Sequence, residues 1–125
     1  MNYEEFNQFC GSFVGTSHVV QWGNSDVWKV GGKVFAIGGW SHDSKAAFTF
    51  KTSELNFEFL SDCDGYQPAP YFASRGMKWI QQIETSGALD EDLKYYLSES
   101  YRLVACGLSK RKQKELGISF ANETL

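Results

Sequence analysis

The 125-residue chain lacks the features of a membrane or secreted protein. No apolar run approaches the ~20 residues that span a bilayer. The N-terminal segment MNYEEFNQF has neither the basic region nor the apolar stretch of a signal peptide. We therefore expect a full-length cytoplasmic protein with no membrane partner.

The sequence also has little from which to build a disulfide framework or a metal site. Its three cysteines, Cys10, Cys63 and Cys106, are far apart, and there is neither a CxxC pair nor a histidine at a metal-binding spacing. We expect three reduced and mostly buried thiols, and no metal ion or other cofactor.

A catalytic signature is missing as well. Neither His18 nor His42 has a GxSxG nucleophile motif near it, and His42 beside Asp43 in a polar segment is most simply a solvated side chain. The segment VGGK at 30–33 lacks the GxxxxGK[ST] spacing of a phosphate-binding loop. These absences indicate that the protein is not an enzyme.

What the sequence does contain is aromatic residues, at 16% of the chain. Rings bury large areas, so this content is typical of a globular protein with an aromatic core. A chain of this length suits one domain better than two. We expect a single domain over residues 1–125, with residues 113–125 as a less ordered tail.

The clearest local signal is a β-meander between residues 27 and 50. The runs VWKV and KVFAIGGW flank Gly31-Gly32, a pair that suits a tight hairpin turn because both residues accept positive φ. AAFTF predicts a third strand, and MKWIQQIE a further strand of the same sheet. Strict alternation would put Ala36 on one face and Phe35 on the other, with one face on helices and the other partly wet.

Three helices are predicted around this sheet. The first covers residues 2–9, and the second begins after Ser53 as N-cap and buries Leu55, Phe59 and Cys63. The third is the longest and begins at Asp90 as N-cap. The chain is thus expected to be α+β, with an antiparallel sheet of about four to six strands packed on one side by the N-terminal, middle and long C-terminal helices.

Charge is distributed unevenly along the chain. The net charge is −3, but residues 26–52 carry +2 and residues 102–114 carry +5. Basic residues interleaved with aromatic rings are typical of nucleic-acid binding, because phosphates attract cations and unstacked bases attract rings. From composition alone, a buried role for the rings and a solubilising role for the lysines is the favoured alternative.

An ordered set of segments resembles the MmcQ/YjbR family, from the first helix to about Lys112. No one segment is unique to that family, but their order is specific. The segments are Trp22-Gly23, WKVGGKVFA, Lys51 after AAFTF, GYQPAPYF followed by Lys78-Trp79, and Ser100-Tyr101 followed by Leu103-Val104.

The resemblance implies a CyaY-like (frataxin-like) fold and the role suggested for the family, a DNA-binding protein with a "double wing" of hairpins. The wings would be the hairpin at residues 29–33 and the region at residues 75–78. The residues that would bind nucleic acid are Lys29, Lys33, Lys51, Arg75, Lys78, Trp79, Tyr101 and Arg102.

Two other functions stay open. One is a protein-interaction or small-ligand-binding module, with a groove between the sheet and the C-terminal helix lined by Tyr71, Trp79 and Tyr101. The other is frataxin-like metal binding through the acidic helix, which carries Glu54, Glu58, Asp62 and Asp64. A monomer is expected, and a homodimer is left open.

Overall fold

Six strands form one antiparallel sheet in the order β1-β2-β3-β4-β6-β5. The computed structural model describes residues 1–39, 46–84 and 86–119. The strands are β1 (Thr16–Gln21), β2 (Ser25–Val30), β3 (Lys33–Gly38), β4 (Phe48–Lys51), β5 (Tyr66–Pro68) and β6 (Trp79–Gln82). The helices are α1 (Tyr3–Gly11), α2 (Glu54–Ser61), α3 (Asp90–Cys106) and α4 (Lys110–Glu115), with a 3₁₀ turn at Ala73–Arg75. The predicted α+β class is confirmed.

The Gly31-Gly32 hairpin forms as expected, with φ values of 58° and 82°. A side chain at Gly31 would also collide with Leu108, since a Cβ there would lie 2.7 Å from Cδ1 of that residue. The expected alternation along β3 is wrong. Trp28 pairs with Ala36, but the next residue of β2, Lys29, pairs with Val34. Phe35 is therefore an extra residue in β3, which forms a β-bulge there.

The bulge explains an aromatic-rich core on the helical face of the sheet. Phe35 and Ala36 are consecutive, yet both are buried in the same core cluster. Further along the sheet, the ring of Phe48 lies 5.0 Å from that of Phe6 and 5.4 Å from that of Tyr3. Helix α1 is thereby fixed to the centre of the sheet by ring contacts.

The opposite face of the sheet is dry at its centre but exposed at its β1 edge, where Val19 pairs with Val27, and this fits the expectation of a partly wet face. Val27, Ile37, Thr49 and Gln81 lie side by side on four strands, and none is more than 1% exposed. The Gln81 amide donates to the Thr49 hydroxyl at 3.1 Å and accepts from the Gln67 amide at 2.9 Å. This ladder of side chains satisfies polar groups that burial would otherwise leave unpaired.

Ser100 joins α3 to the sheet. Its hydroxyl donates to the Phe35 carbonyl at 2.6 Å and accepts from the Lys51 amide at 2.9 Å. Those two residues would face each other if the β3–β4 pairing of Ala36 with Phe50 continued by one step. The buried hydroxyl therefore takes the place of a direct hydrogen bond where the two strands separate.

Ser100→Ala is expected to lower the free energy of unfolding by about 2–4 kcal/mol. The substitution leaves a carbonyl and an amide without their partner, and each unsatisfied buried group costs about 1–3 kcal/mol. Urea denaturation followed by circular dichroism measures the change. Ser98→Ala is the matched control on the same helix, because its hydroxyl only donates to Lys94 within α3. Equal stability of the two variants would contradict the bridging role.

The predicted start of α2 is confirmed, but the prediction of which face of the helix is buried is wrong. Ser53 caps the helix, and its hydroxyl accepts from the Asn56 amide. However, Leu55 is 76% and Phe59 is 62% exposed, while Leu60 is buried and Phe57 packs against the core. The helix carries two apolar stripes, and only the position of the sheet decides which of them is buried.

Helix α3 also begins differently from the prediction. Its N-cap is Leu89, and Asp90 is the first helical residue. The Asp90 carboxylate lies 2.6 Å from the backbone nitrogen of Met1 and so does not cap the helix. Gly107 is the C-cap of α3.

The three thiols are free, but only one is buried. Cys10 lies in the core, where burial raises the pKa of its thiol, whereas Cys63 is half-buried and Cys106 is exposed. The expectation of mostly buried cysteines therefore holds for Cys10 alone.

The basic segment after α3 forms the short helix α4. The Gln113 amide donates to the carbonyls of Ala105 and Leu108 at 3.1 and 3.0 Å. Ile118 is 9% exposed and belongs to the core cluster. Packing thus extends into the segment for which a less ordered tail was expected, and residues 120–125 lie outside the described residues.

Candidate nucleic-acid interface

The ends of several strands bring basic residues together. Strand β3 begins at Lys33, β4 ends at Lys51, and β6 begins directly after Lys78. Because β4 pairs antiparallel with both β3 and β6, these three termini lie at the same end of the sheet. The C-terminal part of α3 reaches this end too, since Leu108 packs against the Gly31 turn.

We call this region the basic end. It contains ten of the twelve Lys and Arg residues of the chain. They are Lys29, Lys33, Lys51, Arg75, Lys78, Arg102, Lys110, Arg111, Lys112 and Lys114. Of the other two, Lys94 is near the start of α3, and Lys45 is in the segment 40–45 outside the described residues, as is His42.

The opposite end of the sheet, the acidic end, has the reverse charge. Its carboxylates are Glu4, Glu5, Asp26, Asp62, Asp64, Glu84, Asp90, Glu91 and Asp92. At the basic end, Glu99 and Glu115 lie 3.2 Å from Arg102 and Arg111, and Glu54 starts α2. A small net charge thus conceals a strong separation of charge along the strands.

Most of the predicted phosphate-binding cations are available to solvent. Lys33, Lys51, Lys78 and Arg102 are exposed, and Lys29 is half-buried within β2. The cations do not all lie on one face of the sheet. Lys33 pairs with the core residue Val30 and so lies on the face that the helices cover, whereas Lys29, which pairs with Val34, precedes Val30 on β2.

Aromatic residues hold two of the cations in place. The Arg75 guanidinium lies 5.3 Å from the centre of the Tyr71 ring and donates to its hydroxyl at 2.9 Å. The Lys78 ammonium lies 4.9 Å from the centre of the Phe57 ring. The sequence reasoning missed these partners. The four-residue spacing of Tyr71 and Arg75 was the only signal, and nothing local links Phe57 to Lys78.

The two predicted stacking rings are buried. Trp79 is 5% exposed and stacks on Phe72 at 4.7 Å, with 19° between the ring planes. Tyr101 is 8% exposed, stacks on Phe13 at 4.7 Å and donates its hydroxyl to the Val14 carbonyl. These positions do not fit base stacking. Nor do they fit the groove expected between the sheet and the C-terminal helix, of whose three lining rings only Tyr71 is exposed.

A cleft of about 230 Å³ lies instead between α2 and α3. Its lining residues are Lys51, Thr52, Ser53, Asn56, Tyr96, Glu99, Arg102 and Leu103. Burial, and next the Asp92 carboxylate, raise the pKa of the Tyr96 hydroxyl. Two of the predicted cations, Lys51 and Arg102, therefore meet at one concave site.

The described residues offer little for a metal or a membrane. Across residues 1–39, 46–84 and 86–119, no three His, Cys, Asp or Glu side chains converge as a metal site would require. The imidazole of His18 lies 2.8 Å from the carboxylate of Asp26. Among the helices in these ranges, none combines the length and apolar character needed to cross a bilayer.

Comparison with known proteins agrees with the fold. The chain is similar to Deinococcus radiodurans protein DR2400, a DUF419-domain protein, with 20% identity and a TM-score of 0.79 over 94% of this chain and 89% of that one. No curated protein matches. The YjbR family model matches residues 11–103, which confirms the resemblance drawn from the sequence. The chain belongs to the YjbR family.

Proposed function

We propose that the protein is a non-enzymatic DNA-binding protein whose basic end contacts the phosphate backbone. The observation that carries this proposal is the gathering of ten cationic side chains at one end of the sheet. Here the carboxylates are concentrated at the far end, so the approach of a polyanion to the basic end is favoured.

The spacing of the two hairpins suits a duplex. The β2–β3 turn and the β5–β6 connection are separated by three strand intervals in the sheet order. At about 4.8 Å an interval, this is about 14 Å. The major groove of B-DNA is about 12 Å wide. This similarity supports a contact of Lys33 on one hairpin and Arg75 on the other with phosphates on the two sides of a groove.

The chemistry favours backbone contacts over base reading. The predicted cations Lys33, Lys51 and Lys78 are exposed at this end, whereas the rings of Trp79 and Tyr101, the two predicted to stack on bases, are buried. Phosphate contacts position a protein without conveying sequence. Tyr71 and Phe57 restrain Arg75 and Lys78, which reduces the entropy lost when each cation pairs with a phosphate. We expect strong salt dependence and weak sequence preference.

A salt titration tests the proposal. Fluorescence anisotropy of a labelled duplex, measured from about 50 to 200 mM salt, should give log K falling linearly with log[salt]. Six cation–phosphate contacts correspond to a slope of about −5, at about −0.9 for each contact. Absence of binding to duplex DNA at about 50 mM salt would rule the proposal out.

A further inference from the structure

Strand β1 forms one edge of the sheet. In the part of the chain that the structure describes it pairs with β2 alone, through six consecutive residue pairs without a register shift. The amides and carbonyls that point away from β2 therefore have no backbone partner among the described residues. A row of such groups is a template for a further strand.

The sequence of β1 lacks the residues that normally protect an edge strand. Unwanted pairing is usually prevented by charged side chains, by proline or by a bulge. Residues 6–25 contain no Lys, Arg, Asp, Glu or Pro. The His18 imidazole is turned back toward β2, where it lies 2.8 Å from the Asp26 carboxylate and 4.9 Å from the centre of the Trp28 ring. These side chains therefore do not oppose a partner strand.

The other edge strand, β5, has the protection that β1 lacks. It is only three residues long. The Tyr66 amide donates to the Cys63 carbonyl at 3.2 Å, and Pro68 has no amide hydrogen. An added strand would find no free amide on either residue. Pairing through β1 thus gives a closed assembly of two copies rather than a fibre.

Apolar side chains are exposed on both faces of β1. Val19 and Val20 are 37% and 53% exposed, and as consecutive strand residues they lie on opposite faces of the sheet. An added strand would shield both valines and pair with the backbone between them. This combination favours an extended chain as the partner over a helix or a small ligand.

We infer that a second copy of this chain pairs with β1, strand against strand, in an antiparallel two-fold dimer. A two-fold interface uses the same surface on both subunits, and an edge strand paired with itself meets this condition. Antiparallel pairing also continues the pattern of the whole sheet. Because β1 carries no Lys, Arg, Asp or Glu, it brings no like charges together at the axis.

The charges at the two ends of β1 favour a second copy over a peptide of another protein. The strand begins beside the basic end, since Thr16 pairs with Val30 and Val30 pairs with Lys33. Its last residues reach the acidic end, where Val20 pairs with Asp26. Antiparallel pairing therefore places the basic end of each subunit beside the acidic end of its partner, twice in one dimer.

The two-fold axis lies at Val19. Opposite residues of an antiparallel pair lie on the same face, so an axis perpendicular to the sheet passes through one residue position. The central positions of β1 are His18 and Val19. An axis at His18 would bring two imidazoles together, whereas an axis at Val19 brings together two valines, which is a favourable cross-strand pair. Ser17 then lies opposite Gln21 of the partner subunit.

This inference does not rest on DNA binding. None of the residues proposed to contact phosphate is on β1. Self-association is measured without nucleic acid, and the salt titration reports DNA binding whether or not the protein dimerises. The two proposals can therefore fail separately.

Sedimentation equilibrium over a wide range of protein concentration provides the first test. The wild-type protein should reach twice the chain mass. Val19→Lys should raise the dimer dissociation constant about a hundredfold or more, because it places two ammonium groups opposite each other at the axis. Leu55→Lys is the control, since it makes the same kind of change at an exposed position on α2 and should leave the dissociation constant unchanged. A wild-type protein that stays monomeric at every concentration overturns the inference, as does equal dissociation of the two variants.

Disulfide cross-linking tests the arrangement without weakening the dimer. In a background with Cys63→Ser and Cys106→Ser, Val19→Cys should give a covalent dimer on mild oxidation. Opposite Cα atoms are about 4.5–5.5 Å apart, which suits a disulfide. Ser17→Cys is the matched control on the same face, because its two copies would be about 14 Å apart along the strands. Equal cross-linking of the two variants, or none in Val19→Cys, overturns the proposed pairing. Circular dichroism melts confirm that every variant is folded.

Discussion

Neutralising four exposed cations of the basic end is expected to weaken duplex binding about a thousandfold at about 0.1 M salt. The four substitutions, made together, are Lys33→Gln, Lys51→Gln, Arg75→Gln and Lys78→Gln. Each lost phosphate contact removes about 0.9 from the slope of log K against log[salt], so the slope should become less negative by about 3.6. The affinity and the slope come from the same anisotropy titration.

Lys94→Gln is the matched control for this variant. Lys94 is exposed and lies 3.6 Å from Glu91 near the acidic end of α3, so its loss should leave DNA affinity unchanged. Thermal melts are needed for the fourfold variant, because Arg75 and Lys78 also contact rings. A folded variant that binds DNA with an unchanged slope would show that the interface lies elsewhere.

Phe48→Ala is expected to lower the free energy of unfolding by about 3–5 kcal/mol. Phe48 is 1% exposed, and its ring lies against those of Phe6 and Tyr3. Truncation leaves a cavity between the sheet and α1 and removes both ring contacts. Since domains of this kind have about 5–15 kcal/mol of stability, the loss is a large part of the total. Urea denaturation measures it.

Phe59→Ala is the matched control, because it removes the same ring from an exposed site. We expect a change in the free energy of unfolding of at most about 0.5 kcal/mol. The comparison also tests which face of α2 is buried, the Leu55/Phe59 face predicted from the sequence or the Phe57/Leu60 face of the structure. A loss at Phe59 as large as that at Phe48 would mean that the stripe predicted from sequence is buried after all.

Local features of the fold follow directly from the sequence. The Gly31-Gly32 turn and the Ser53 cap form where they were predicted. Each depends on neighbours within a few residues, through backbone conformation or a hydrogen bond to a nearby amide. The family resemblance extended this to the whole fold, because the spacing of its segments reflects one arrangement of strands and helices.

The sequence did not predict which face of α2 or of β3 is buried. Leu55/Phe59 and Phe57/Leu60 are equivalent stripes on α2, and the strands β5 and β6 decide between them. The β3 bulge is similar, since nothing near Phe35 indicates that it and Ala36 point to one core. Such choices depend on surfaces supplied by distant parts of the chain.

Ser100 and Tyr101 show a further limit. The sequence presented them as part of a family pattern and gave Tyr101 a role in nucleic-acid binding. In the structure, the Ser100 hydroxyl bridges β3 and β4, and the Tyr101 hydroxyl donates to Val14. Both positions are thus occupied for structural reasons, and the partners are at least 49 residues away along the chain.

For this protein, the sequence by itself determined the family, the α+β class, the turns, the helix ends that depend on near neighbours and the identity of the basic residues. Only the tertiary structure decided that ten of those residues share one end of the sheet while nine carboxylates lie at the other. The physical reason is that antiparallel pairing brings the start of one strand beside the end of the next. Charges that are 45 residues apart in sequence, such as those of Lys33 and Lys78, become members of one surface by this pairing.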